Sequence, residues 1–191
     1  PHPAVHCAAL AALQSVIDAA SLGYQPFVSS TLAVMSEVYA MPTHEPEGGS
    51  AGSSNLRVAL PAYRGVACVV DAVVGVLGAD LRESTTRRWQ MYALLNALAH
   101  DQRAGMYAEA EAVHGLQRLG LIVPEMLETR QWAALLYATL QREPLRLQRA
   151  AAAAYYQMAQ RGTRWLAQYG GSPLLHALLM QLDRAASLDE I

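Results

Sequence analysis

The chain contains no lysine: all 14 basic residues are arginine, and against 16 acidic residues they leave a formal net charge of -2. Nucleic-acid binding needs a basic stripe to neutralise phosphates, and a near-neutral chain offers none. Charge of either sign is scarce, at 16% of residues, while 53% are hydrophobic. That balance is richer in apolar side chains than an ordinary small domain and implies that much of the surface is covered by packing. Only two cysteines occur, Cys7 and Cys68. Both fall in apolar helical patterns, which points to thiols used for core packing in a reducing compartment, with no disulfide framework.

Reactive signatures are missing as well. There is no P-loop, no GxGxxG after a strand, no GxSxG elbow and no HExxH. His2, His6 and Cys7 lie close together in sequence, but no second cluster is present to complete a tetrahedral metal site. His100 and Asp101 are adjacent and point apart at a helix end, which suits capping or solvation. His114 and His176 stand alone on helices and read as surface or boundary residues. Tyrosines and tryptophans fall on apolar stripes and read as core. No catalytic residue, cofactor or metal is assigned, and a non-enzymatic role is expected. No run of about 20 residues spans a bilayer without interruption, since Asp18, Gln25-Pro26, Arg64 and Asp71 break the candidates. No signal-peptide pattern is visible.

What the chain does have is helical periodicity. In 144–161 the apolar positions Leu147, Ala150, Ala151, Ala154, Tyr155 and Met158 recur at i, i+3, i+4, i+7, i+8 and i+11, the spacing of one helical face. Pro144 stands at the first turn and Gly162 follows the last periodic residue. The alanine run 150–154 carries little bulk, so a second helix can approach closely. Upstream, 124–140 places Met126, Leu127, Trp132, Ala133, Leu136, Tyr137 and Leu140 at helical spacing, with a short connection between the two. The pair reads as an antiparallel helical hairpin.

The same grammar recurs along the chain. Residues 4–20 form a helix ended by Gly23, and a second starts at Tyr24-Gln25-Pro26 and runs to about Ala40, burying Phe27, Leu32, Met35, Val38 and Tyr39. Residues 41–55, MPTHEPEGGSAGSSN, have almost nothing to bury and read as a flexible Pro/Gly/Ser loop inserted between repeats. Residues 56–77 resume as a helix broken near Pro61, and after Gly78 either Asp80 or Ser84 caps a helix carrying Trp89, Tyr92, Leu95, Leu98 and His100. Residues 104–119 and 124–140 make a third hairpin with Gly120 at the joint. Residues 144–161 and 173–187 make a fourth, joined through 162–172 around Trp165.

The fold expected is therefore all-α: about four antiparallel helix pairs at a period of about 40–50 residues over 1–191, which fits HEAT-like α-solenoid repeats, with a compact helical bundle as the alternative. Arg142, Arg146 and Arg149 fall at i, i+4 and i+7 on the outward side of the 144–161 helix. They read as a solvated face or as a grip on an acidic partner peptide. Val5, Leu13 and Ile17 at one end, and Leu175, Leu178 and Leu182 at the other, lack the polar outer face of a capping repeat. An internal piece of a longer solenoid is expected, covered by flanking repeats or, in isolation, by a second copy as a homodimer.

Three segments resemble, in order, the middle of the HEAT repeat-containing protein 5 family: 10–36, 63–78 and 120–161. The likeness rests on the Tyr-x-Pro-Phe-Val entry at Tyr24 to Val28, the Val-Pro-x-x-Leu entry at Val123 to Leu127, and the Leu-Arg start and alanine core at 145–152. The 41–55 loop departs from the pattern. In fungi the family member is the large accessory protein of the clathrin adaptor protein complex 1. The resemblance implies a non-enzymatic scaffold in the cytoplasm, peripheral to the trans-Golgi network, endosomes and clathrin-coated vesicles. It implies adaptor protein complex 1 or its accessory subunits as partners, and the near-neutral charge makes no case for nucleic acid.

Overall fold

A computed structural model describes residues 3–41, 61–142, 145–161 and 176–180. Among them the chain is all-α, without a strand, as the periodicity requires. The principal helices are α1 (Pro3–Ala20), α2 (Val28–Ala40), α3 (Pro61–Leu77), α4 (Thr85–His100), α5 (Gly105–Ile122), α6 (Thr129–Leu140) and α7 (Leu145–Arg161). Residues 176–180 are also helical. The expected loop beyond Met41, the 162–172 connection, Leu175 and Leu182 lie outside the described residues, and Met158 lies outside the described side chains. The chain separates into two compact units, Pro1–Arg118 and Leu119–Ile191. The expected third hairpin straddles that division.

Local signals set several boundaries differently from the sequence pattern. α1 stops at Ala20 because Ser21 takes a positive φ of 46°, the left-handed turn that ends many helices and that a non-glycine residue adopts at a cost. Gly23 instead sits inside the 3-10 turn Ser21–Phe27, which carries the chain through Pro26 into α2. Glycine does fill the equivalent place after α3, where Gly78 has φ 46°. The helix expected over 124–140 is split. A 3-10 turn at Pro124–Met126 is followed by extended backbone at Leu127 and Glu128 before α6 begins. α5 does not end at Gly120 but continues to Ile122, and the missing Cβ of Gly120 makes room for the side chain of Leu127. Ser84 occupies the N-cap of α4 without a side-chain cap bond, while Asp80 accepts a hydrogen bond from Gln25 Nε2 at 2.6 Å.

In the first unit α3 is the central helix. Val66-Ala67, Val69-Val70 and Ala72 to Val74 are all buried, so apolar residues are covered on more than one face, as in a helix surrounded by others. α1, α2 and α4 all pack on it. α2 runs against α3: the Tyr39 and Tyr63 rings lie 5.3 Å apart, while Gln25, before α2, reaches Asp80, after α3. α2 and α4 run in the same direction, because Arg87 Nε meets Ser29 Oγ at 3.3 Å near their starts and Tyr39 meets Asp101 near their ends. α1 approaches α3 closely where Gly65 leaves space for Leu10; a Cβ on Gly65 would stand 2.8 Å from Leu10 Cβ.

The second unit is built on α6 against α7. α6 buries Trp132, Ala133, Leu136 and Leu140, and α7 buries Leu147, Ala151, Ala154 and Tyr155. Ala151 and Ala154 are wholly inaccessible while Ala153 is exposed, so one side of the alanine run is packed against neighbours. Gln148 Nε2 donates to the carbonyl of Arg142 at 2.8 Å, closing the turn between the two helices.

Not every aromatic is core. Phe27, expected to be buried, is 59% exposed, and Trp89 is 53% exposed. The α4 stripe is Met91, Leu94, Leu95 and Leu98, and two residues of rotation put Trp89 on another side of the helix. Tyr107 and Tyr156 are also exposed. At the amino-terminal end Val5 is exposed, but Leu13 is half-buried and Ile17 is fully buried. The exposed large apolar side chains of 3–40 are Val5, Val16, Leu22, Phe27 and Val34. By length and composition alone, two helical runs could cross a membrane, Ala4–Ala40 and Ala62–Arg82. The second spends its apolar surface inside the first unit, with half of its most apolar window buried, against 11% for the first.

Three substitutions test these packing contacts and backbone angles. Alanine favours a helix interior over glycine by about 1 kcal/mol, yet Gly65→Ala is expected to destabilise the chain by about 1–3 kcal/mol because it drives a methyl into Leu10. Ala154→Leu should cost a similar amount by overpacking α7. Unchanged urea midpoints in both variants would refute the packing described. Ser21→Gly is expected to stabilise by about 1 kcal/mol by relieving the left-handed strain, read as a rise in melting temperature. A fall would show that the serine is not strained.

Candidate functional site

A seam of polar contacts lies between α3 and α5. On α3 the polar positions Arg64 and Asp71, with Gly75, follow i, i+7 and i+11; on α5 Tyr107, Glu111, His114 and Arg118 follow i, i+4, i+7 and i+11. Such spacing keeps each set on one side of its helix, and the two sides meet in step. Arg64 lies over the Tyr107 ring at 5.8 Å and reaches Glu111 Oε1 at 3.6 Å. One to two turns further along both helices, Asp71 Oδ2 is 3.4 Å from His114 Nδ1 and accepts a hydrogen bond from Arg118 Nη1 at 3.2 Å. The pairings advance together, so α3 and α5 run in the same direction.

Asp71 is the hub of this seam. Its side chain is 18% exposed, and a carboxylate held so far from water needs a countercharge. Arg118 supplies it and also donates to the Asp71 backbone carbonyl at 3.1 Å. Two glycines admit the arrangement. A Cβ on Gly75 would stand 2.9 Å from Arg118 Nη1, and one on Gly115 would press into Leu95 and lie 3.6 Å from Asp71 Cβ. The other carboxylate oxygen, Oδ1, is buried and accepts no hydrogen bond among the described residues. The hydrogen bond to Asp71 raises the His114 pKa above its ordinary value; burial opposes this, the Asp71 charge adds to it, Arg118 lowers it and Glu111 raises it slightly.

A second polar knot joins α2 and the turn after α4. Asp101 accepts from the Arg103 backbone N–H at 2.9 Å and from Arg103 Nε and Nη2 at 3.0 and 2.9 Å, capping the 3-10 turn Gln102–Ala104. Tyr39 Oη donates to the same carboxylate at 3.2 Å. The Arg103 hydrogen bond holds the Asp101 pKa below the usual carboxylate value, against the opposing effect of burial. Burial raises the Tyr39 pKa, and the Asp101 charge adds to it. Beside them His100 Nδ1 bonds the carbonyl of Asn96 at 2.8 Å. His100 and Asp101 therefore serve helix-end roles, pointing into separate contacts.

Of the residues singled out in sequence, Arg146 and Arg149 are exposed on α7, whereas Arg142 is exposed in the turn before it. His6 and Cys7 are half-buried on α1. Among the described residues no group of His, Cys, Asp and Glu is placed to hold a metal. His114 is no isolated boundary residue but a partner of Asp71. The signal that links them was present in the matched i, i+7, i+11 rows of the two helices, though linear sequence does not say which helices are neighbours. Compared with family models, curated proteins and solved structures, the chain matches none of them.

Both knots are interhelical ties, and they specify which helices lie side by side. Arg118→Met, which keeps the aliphatic stem, is expected to destabilise by about 1–2 kcal/mol because it leaves a mostly buried carboxylate short of a donor. Asp71→Asn in the Arg118→Met background should then cost less than Asp71→Asn alone. Strict additivity of the urea unfolding energies would show that the pair is not coupled.

Proposed function

We propose that the chain is a scaffold segment of a HEAT-like α-solenoid, with no catalytic role of its own. The observation that carries this reading is the order of helices in the first unit. α2 and α4 run together, α3 runs against α2, and α5 runs with α3, the alternation expected when successive helix pairs stack side by side. The exposed apolar side chains Val5, Val16, Leu22, Phe27 and Val34 support the reading, because an inner repeat buries such surface on its neighbour. In this account flanking repeats cover those side chains in a longer protein, and a second copy substitutes for them when they are lacking.

The resemblance of 10–36, 63–78 and 120–161 to the HEAT repeat-containing protein 5 family supplies the finer part of the proposal. The segment would serve a large accessory protein of the clathrin adaptor protein complex 1 in sorting between the trans-Golgi network and endosomes. Such work needs extended surface and no reactive group. Arg146 and Arg149, exposed on α7, are the proposed contact for an acidic peptide of the partner, with Arg142 beside them.

Two measurements test the two levels. Light scattering of the 1–191 chain should reveal concentration-dependent self-association, and extension by one repeat at each end should remove it and raise the melting temperature. A stable monomer that gains nothing from extension would favour the compact bundle. Separately, a pull-down with the full-length protein should recover adaptor subunits. Their clean absence would leave a HEAT-type interaction module of another cytosolic assembly.

A further inference from the structure

We propose that His114 is a proton-responsive tie between α3 and α5: when protonated it adds a second cation to the Asp71 carboxylate, and when neutral it leaves Arg118 to hold that carboxylate alone. The geometry is specific. His114 Nδ1 and Arg118 Nη1 address the same oxygen, Asp71 Oδ2, at 3.4 and 3.2 Å. The His114 side chain is 48% exposed, so protons reach it without unfolding. The Asp71 side chain, by contrast, is mostly buried, and its charge is the anion nearest the ring. Asp71 faces it from α3, and Arg118 and Glu111 act on it from its own helix. Arg64 of α3 is engaged with Glu111, and α4 meets the adjoining Gly115 through the apolar Leu95.

The direction of the response follows from which form the site favours. The carboxylate raises the His114 pKa above the ordinary value of 6.5. The added stability is therefore fully present below pH 6.5 and is lost as pH rises through the folded-state pKa. Arginine stays protonated throughout, so the tie changes strength without breaking. α5 is held more firmly to α3 in mild acid than in mild alkali, whatever the segment binds.

The test is a titration of the histidine ring nitrogens by heteronuclear NMR on the full chain, combined with urea unfolding at pH 5.5 to 8.5. The His114 resonance should titrate above the ordinary histidine value and move down in Asp71→Asn. The urea midpoint of the parent chain should fall between acid and alkaline pH by more than that of His114→Gln, which cannot gain the proton. If Asp71→Asn fails to fold, the His114→Gln comparison decides alone. An ordinary or lowered His114 titration in the parent chain, or an identical pH dependence in His114→Gln, would overturn the proposal.

Discussion

A single carboxylate sits on the most heavily packed helix of the first unit, and its charge has to be met from one direction. α1, α2 and α4 cover α3 with apolar side chains, and nothing in those contacts can solvate Asp71. The side left is the one taken by α5, which brings Arg118 and His114 to the carboxylate. Replacing an ion pair with apolar residues is often harmless to stability, but leaving one charge unmatched is not. Asp71 therefore acts as a selector of neighbours. It admits a helix that carries cations at the correct spacing and penalises one that does not.

The glycines around this pair serve the same end. Gly75 and Gly115 remove volume exactly where the guanidinium and the α5 backbone come close to α3. Where Tyr39 packs on Tyr63 near the start of α3, Asp101 gathers Arg103 and Tyr39 and ties the end of α2 to the turn after α4. The helices are thus joined by apolar burial along their lengths and by polar contacts at particular heights. Burial sets how strongly they associate, and the polar contacts set their register.

Helical class and most helix positions were readable from the sequence because a period of 3.6 depends only on which residues are apolar. Leu147, Ala151, Ala154 and Tyr155 are buried just as that period places them. Helix ends were less readable, since they turn on backbone angles: Ser21 takes a left-handed turn that its identity does not advertise, and Pro124 begins a 3-10 turn where a longer helix was expected. Trp89 and Phe27 are exposed because an apolar side chain near a stripe need not share its side: Trp89 lies opposite Met91, Leu94, Leu95 and Leu98 on α4, and Phe27 ends the 3-10 turn before α2. The seam between α3 and α5 was the hardest to see. Its two rows of polar residues are 40 or more positions apart, and only the fold makes them neighbours.

The notch at Gly65 carries a mechanical consequence. Leu10 occupies the space that a Cβ would take, so α1 is keyed to α3 as a tooth is to a gap. Sliding by one helical turn, about 5.4 Å, would bring a different side chain against an unnotched stretch of α3. Axial shear between these helices is opposed at that point. The rest of the first hairpin is tied to the second at other heights, through Gln25 to Asp80, Ser29 to Arg87 and Tyr39 to Asp101, so Leu10 sets the register of α1 while those contacts set that of α2.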